Sequence, residues 1–193
     1  MSCILSDSKE RIQPYARYAQ LFGSTTFALN NKEAFFMKSL IVYYSHSGNT
    51  RRLAELIAKE TDGDLLELVP EVPYPQDYHT VVTQAKRELQ SGHRPVLKTA
   101  LPDLSAYDMI FVGTPNWWSS PAPPVLTFLE QAALHETKIA PFCTHGGGGS
   151  GHICQDMEKA SRSKLLLPEL SIYGASGRAA DVQKWLKKIN FAK

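Results

Sequence analysis

The chain has 193 residues, 43% of them hydrophobic and 21% charged, enough for one domain with a real core and too ordinary for a collagen-like, wholly disordered or disulfide-scaffold chain. Lys and Arg exceed Asp and Glu by 21 to 19, a formal charge of +2, so electrostatics gives no reason to expect nucleic acid or an anionic membrane as partner. No run approaches the roughly 18 apolar residues of a membrane span, and three cysteines, Cys3, Cys143 and Cys154, suit a reducing, cytoplasmic setting better than a disulfide framework.

Residues 1–36 show no sustained period of either 2 or 3.6 and read as a leader, an upstream start or an arm, disordered or loosely docked. Asp7, Lys9, Glu10 and Arg11 argue against a secretory signal. The domain is expected over 37–193, where 17 Lys and Arg face 16 Asp and Glu. Leu40-Ile41-Val42-Tyr43-Tyr44 has the β-branched and aromatic content of a buried strand. From Thr50, Leu53, Leu56, Ile57 and Ala58 recur on one helical face opposite Arg51, Arg52, Glu55 and Lys59. Leu65–Val69 predicts a second strand, Pro70–Pro75 a loop, and Tyr78–Gln90 a helix closed by Ser91-Gly92. Met109–Gly113 predicts a third strand broken by Thr114-Pro115, and a helix follows over Pro124–Leu134 with prolines at its entrance. Lys138–Thr144 reads as strand four and Ile153–Lys164 as a helix beyond a glycine cluster. Glu169–Tyr173 reads as strand five and Arg178–Ile189 as the closing helix.

Strands and helices in strict alternation predict an α/β domain, with right-handed crossovers placing helices on both faces of a parallel sheet. In such a sheet the ligand sits beyond the carboxyl ends of the strands, and three loops fall there. The first, Ser45-His46-Ser47-Gly48-Asn49-Thr50, sets three hydroxyls and a run of amides at a helix amino end, a set suited to a phosphate, with Gly48 allowing close backbone approach. An ordinary N-cap at Asn49 or Thr50 explains the same residues. The loop lacks the Gly-Lys-Ser/Thr ending of a Walker motif and the Gly-x-Gly-x-x-Gly of dinucleotide folds. The second loop, Thr114-Pro115-Asn116-Trp117-Trp118-Ser119, carries two indoles that a flat aromatic ligand would cover, unless one of them packs as core. In the third, Thr144-His145-Gly146-Gly147-Gly148-Gly149-Ser150-Gly151, consecutive glycines suit close backbone approach or positive φ, with a flexible linker as the alternative.

The first loop matches every position of Ser/Thr-x-Ser/Thr-Gly-x-Thr, and the order and content of all three resemble the flavodoxin family, over about residues 38–190. The resemblance implies a flavodoxin-like three-layer α/β/α sandwich with a five-stranded parallel sheet in the order 2-1-3-4-5, and FMN as cofactor. It implies a phosphate held by Ser45, Ser47, Asn49 and Thr50 with the amides of His46 and Gly48, and a ring set against Thr114, Pro115, Asn116, Trp117 and Trp118. The loop of Gly146, Gly147, Gly148 and Gly149 would then face the ring's pyrimidine and dimethylbenzene sides. Tyr74-Pro75-Gln76-Asp77-Tyr78 also looks like a segment of a short-chain subset of such proteins, although a plain turn explains it as well.

A zinc site from Cys143, His145, His152 and Cys154 has the wrong spacing, neither cysteine has the Arg of a phosphatase loop, and strand three ends in Gly113-Thr114 where a receiver domain needs Asp. His79, His93 and His135 read as solvated. No catalytic residue stands out. Two functions compete: an oxidoreductase passing electrons from NAD(P)H through FMN to a quinone or similar small acceptor, and an electron-transfer shuttle between redox partner proteins. Shuttle flavodoxins are strongly acidic around the flavin edge. The near-neutral charge and the absence of any carboxylate from Thr114 to Pro124 favour the enzyme, and a flavin-free interaction module is the third class.

Overall fold

The computed structural model describes residues 37–134 and 136–191. The segment 1–36, with Cys3, and His135 lie outside the described residues. From Ser39 the chain alternates β1 (Ser39–Tyr43), α1 (Asn49–Thr61), β2 (Asp64–Glu67), α2 (Tyr78–Ser91), β3 (Met109–Trp117), β4 (Ser120–Pro121), α3 (Pro123–Gln131), β5 (Lys138–His145), α4 (Ile153–Ser161), β6 (Leu170–Tyr173) and α5 (Ala179–Lys188). A short 3-10 turn, Leu104–Ala106, precedes β3.

The strands pair in the order β2-β1-β3-β5-β6, all parallel, and β4 adds an antiparallel hairpin to β3. The five parallel strands are the five read from the sequence, in the flavodoxin order. Alternation along β1 builds the layers. Leu40 and Val42 point to a core completed by Val125, Phe128 and Leu129 of α3 and by Ile153 and Met157 of α4. Ile41 and Tyr43 point to the opposite core with Leu53, Ala54 and Ile57 of α1 and Val182, Trp185 and Leu186 of α5. Every residue of β1 is buried, as a central strand covered on both faces must be.

Several boundaries differ from those expected. β3 does not break at Thr114-Pro115: its pairing with β5 runs to Pro115↔Thr144, and Asn116 and Trp117 then pair with Pro121 and Ser120. Proline is tolerated there because the hairpin lies at the end of the ladder, where a missing donor costs least. α3 stops at Gln131, not Leu134, as Ala132 turns extended and Leu134 folds into the core. α4 stops at Ser161, short of Lys164. Arg162 adopts a left-handed φ of 54°, and the Ser161 and Ser163 hydroxyls accept the backbone amides of Ser163 and Leu165, which competes with helical pairing. The second strand covers Asp64–Glu67 rather than 65–69.

Gly113 is where β3 passes the largest obstacle on β5. A Cβ there would stand 2.1 Å from Cζ of the fully buried Phe142. Gly113→Ala is therefore expected to destabilise the fold by about 1–3 kcal/mol through overpacking, seen as a lower urea midpoint. An unchanged midpoint would show that the phenyl ring gives way freely.

Candidate functional site

The turn after β1 is tied to β3 before it reaches α1. The amide of buried Tyr44 donates to the Gly113 carbonyl at 3.1 Å, and the Gly48 amide donates to the Ser45 hydroxyl at 3.1 Å. Gly48 takes φ of 87°, and α1 then begins with no side-chain cap and no acidic residue in its first turn. Its leading amides therefore face outward without a built-in anion. His46, Ser47 and Asn49 line the cavity beyond this turn. Ser45 is engaged within the turn, and Thr50 is buried with its hydroxyl 2.8 Å from that of Thr144. That pair joins the start of α1 to the end of β5.

The second loop is the β3–β4 hairpin. The buried Thr114 hydroxyl accepts from the Ala122 amide and donates to the Pro115 carbonyl, both at 2.9 Å. Asn116 works in two directions: its side-chain amide donates to the Gly149 carbonyl and its side-chain oxygen accepts from the Ser119 amide at 2.8 Å. Trp117 sits edge-on among Tyr44, Tyr74 and His46, with ring centroids 5.6, 5.0 and 5.9 Å away. Trp118 stands out at the rim, 53% exposed, with Nε1 donating to the Val82 carbonyl at 3.0 Å.

In the third loop Gly146 lines the cavity, whereas Gly147, Gly148 and Gly149 do not. His145 Nδ1 accepts the Gly147 amide at 3.1 Å, and the His145 carbonyl accepts the Gly174 amide at 2.8 Å. Gly151, with φ of 59°, packs so closely that a Cβ would lie 2.6 Å from that of Ser119. The three loops are thus one bonded assembly.

Between them lies a cavity of about 570 Å³, closed on one side by Tyr78, Val81, Val82 and Ala85 of α2 and on another by Tyr173 and Gly174 after β6. These wall residues were not among the candidates drawn from the sequence, whereas Thr144 and His145, which also line the cavity, open the third loop. The available signal was two tyrosines at element ends, Tyr78 and Tyr173, both largely exposed. The Tyr74–Tyr78 segment positions α2. Asp77 caps it by accepting the Thr80 amide at 2.8 Å, and buried Tyr74 donates its hydroxyl to Glu88 at 2.5 Å. Among the described residues, no Lys, Arg, Asp or Glu lines the cavity.

Burial raises the Tyr44 and Tyr74 phenols above the ordinary tyrosine value, with the neighbouring Glu88 adding to both. Burial also pushes the Cys143 thiol up to about 11 and the Cys154 thiol to about 12, the latter aided by its hydrogen bond to Glu169. Neither is a ready nucleophile at neutral pH.

A family model described as Flavodoxin matches residues 38–189. The chain belongs to the flavodoxin family. Among solved structures, the chain is 26% identical to a candidate flavoprotein from Bacteroides eggerthii, with a TM-score of 0.71 over 80% of this chain and 98% of that one. It is 29% identical to another from Bacteroides uniformis, with a TM-score of 0.69 over 79% and 99%. It is 28% identical to a flavoprotein from Lactobacillus acidophilus in complex with FMN, with a TM-score of 0.61 over 77% and 98%. No curated protein matches it. Among the described residues, no helix is long and apolar enough to cross a membrane.

The two raised phenols give the fold an alkaline limit. A tyrosine whose folded pKa exceeds its unfolded value of about 10 contributes stability below that pH and loses it as pH rises towards the folded value. Denaturation midpoints are expected to fall above about pH 10, and Tyr74→Phe to flatten part of that fall. An identical alkaline profile in wild type and variant would contradict the assignment.

Proposed function

We propose that this member of the flavodoxin family is an FMN-dependent oxidoreductase that takes reducing equivalents from NAD(P)H and passes them to a quinone or similar small acceptor. As a member of the family, the chain binds FMN. The residues present fit that group: an uncapped helix amino end, a Gly48 turn that lets backbone approach closely, and beside them a cavity of about 570 Å³ with aromatic and aliphatic walls. Bound FMN supplies one- and two-electron redox chemistry.

In this reading Ser47 and Asn49 donate to the phosphate with the amide of His46, because these residues line the cavity and α1 presents unpartnered donors, while the Gly48 amide stays on the Ser45 hydroxyl and fixes the turn. Ser45 and Thr50 shape the turn from within. The ring lies against the Thr114–Trp118 segment and the start of the Gly146–Gly149 loop, whose backbone groups orient it. Trp117, held edge-on by Tyr44, Tyr74 and His46, is a fixed wall that excludes water from one side. The cytoplasm is the compartment proposed, where the free thiols of Cys143 and Cys154 persist.

The observation that carries the enzyme over the shuttle is the uncharged lining. A shuttle needs a ring of carboxylates to steer a basic partner, whereas uncharged aromatic walls suit a small, flat acceptor and a transiently docked nicotinamide. Anaerobic mixing of the yellow holoprotein with NADPH is expected to bleach it promptly, and addition of a quinone to restore the colour. Reduction only in the presence of a separate reductase protein would instead establish the shuttle. Ser47→Glu is expected to weaken FMN binding more than about a hundredfold, since like charges in contact cost several kcal/mol. Retention of FMN by that variant would place the phosphate elsewhere.

A further inference from the structure

On the far side of Trp118 a second cavity, of about 580 Å³, opens along α2, α3 and α4. α2 runs past both: Val81, Val82 and Ala85 wall the first, while Lys86, Leu89 and Gln90 wall the second. Trp118 lines both, so one indole is the partition between them.

The partition is built at a conformational cost. Trp118 and Ser119 have φ of 55° and 66° in a two-residue hairpin between Trp117 and Ser120. A hairpin with positive φ at both central positions ordinarily carries Asn-Gly or a similar pair. A tryptophan in the left-handed region is an outlier that persists only where its surroundings over-determine it. Here they do: the Ser119 amide donates to Asn116 and its carbonyl accepts the His152 amide at 2.7 Å, while the indole Nε1 is fixed on Val82. The indole so held is the residue that both cavities share.

The second cavity has a distinct chemistry. Leu89, Leu126 and Ala160 give it apolar surface, and Lys86, Arg94 and Lys159 bring three cations against the carboxylates of Glu130 and Asp156. Glu130 is taken up by Arg94 at 2.8 Å, and Asp156 accepts the Ser120 hydroxyl at 2.8 Å. Among the described residues, Lys86 and Lys159 have no ion-pair partner. The Lys86 ammonium stands 4.8 Å from the centroid of the Trp118 ring, a cation–π placement that holds it at the boundary.

We propose that this groove is the anion-binding arm of the acceptor site, taking an aromatic body that carries a carboxylate or sulfonate. The anion lies between Lys86 and Lys159, and the aromatic body runs from Leu89 and Leu126 past the exposed edge of Trp118 towards the first cavity. The proposal rests on the reading of the first cavity as the flavin site of an enzyme with a small acceptor, and narrows that acceptor to an anionic aromatic.

Calorimetric titration of the FMN-loaded protein with naphthalene carboxylate and with the neutral naphthalene methanol tests it. The carboxylate is expected to bind one to one, and the double variant Lys86→Gln with Lys159→Gln to weaken it by at least about tenfold while the neutral compound changes less than about twofold. The flavin spectrum and the thermal midpoint of the variant are expected to match wild type. A yellow protein that binds no carboxylate, a variant that binds it as well as wild type, or equal weakening of both compounds would each overturn the inference and leave the flavin site standing. A protein that takes up no FMN at all, yet shows the lysine-dependent binding, would sink the flavin reading and leave the groove.

Discussion

β1 sends its crossover to one side of the sheet and its neighbour β3 sends its crossover to the other, so the two connections part beyond the strands' carboxyl ends. Everything at the site follows from that divergence. It leaves a crevice that no side chain of the sheet fills, bounded by the turn after β1, the hairpin after β3 and the glycine loop after β5. The crevice stays open at a set width because buried contacts cross it underneath: the Tyr44 amide on Gly113, and the Thr50 hydroxyl on that of Thr144. Removing either hydroxyl would leave the other buried without its partner, at about 1–3 kcal/mol.

The electrostatics of the crevice are those of dipoles rather than charges. A Lys or Arg carries its charge wherever its side chain swings, whereas amides at a helix amino end act only where the fold aims them. The turn 45–50 supplies such amides, and none of the residues lining the cavity among those described is charged. An uncharged wall also keeps the energetic cost of burying a flat aromatic group low. The charges near the site are displaced by one helical turn along α2, from Val82 to Lys86, onto the other side of Trp118. A single indole thus stands between a compartment lined, among the described residues, by no Lys, Arg, Asp or Glu and one that sets Lys86, Arg94 and Lys159 beside Glu130 and Asp156.

The layers were legible because the strands that build them are continuous apolar runs and the helices have one apolar face. Leu40–Tyr43 and Met109–Val112 could be nothing but buried strand in this alternation. The hairpin was not legible. Thr114, Pro115 and Asn116 look like a loop on local propensity, and only pairing with β5 and β4 makes strand of them. The three loops were found from their residue types, but α2's contribution was hidden. Val81 and Val82 read as an ordinary helix face, and which neighbour that face meets is a tertiary fact. The roles within the phosphate turn were hidden for a similar reason: Ser45, Ser47 and Thr50 are equivalent hydroxyls in the sequence, and only the fold turns Ser47 to the cavity and Thr50 to Thr144.

The account stands on the claim that the turn after β1 grips a phosphate through the Ser47 hydroxyl, the Asn49 side chain and backbone amides. Affinities of the apoprotein for FMN and for riboflavin, which lacks the phosphate and is otherwise the same ligand, measure that grip directly. Two charge-assisted hydrogen bonds of about 1.5–3 kcal/mol each predict FMN bound at least about a hundredfold more tightly. Equal affinities for the two would contradict it.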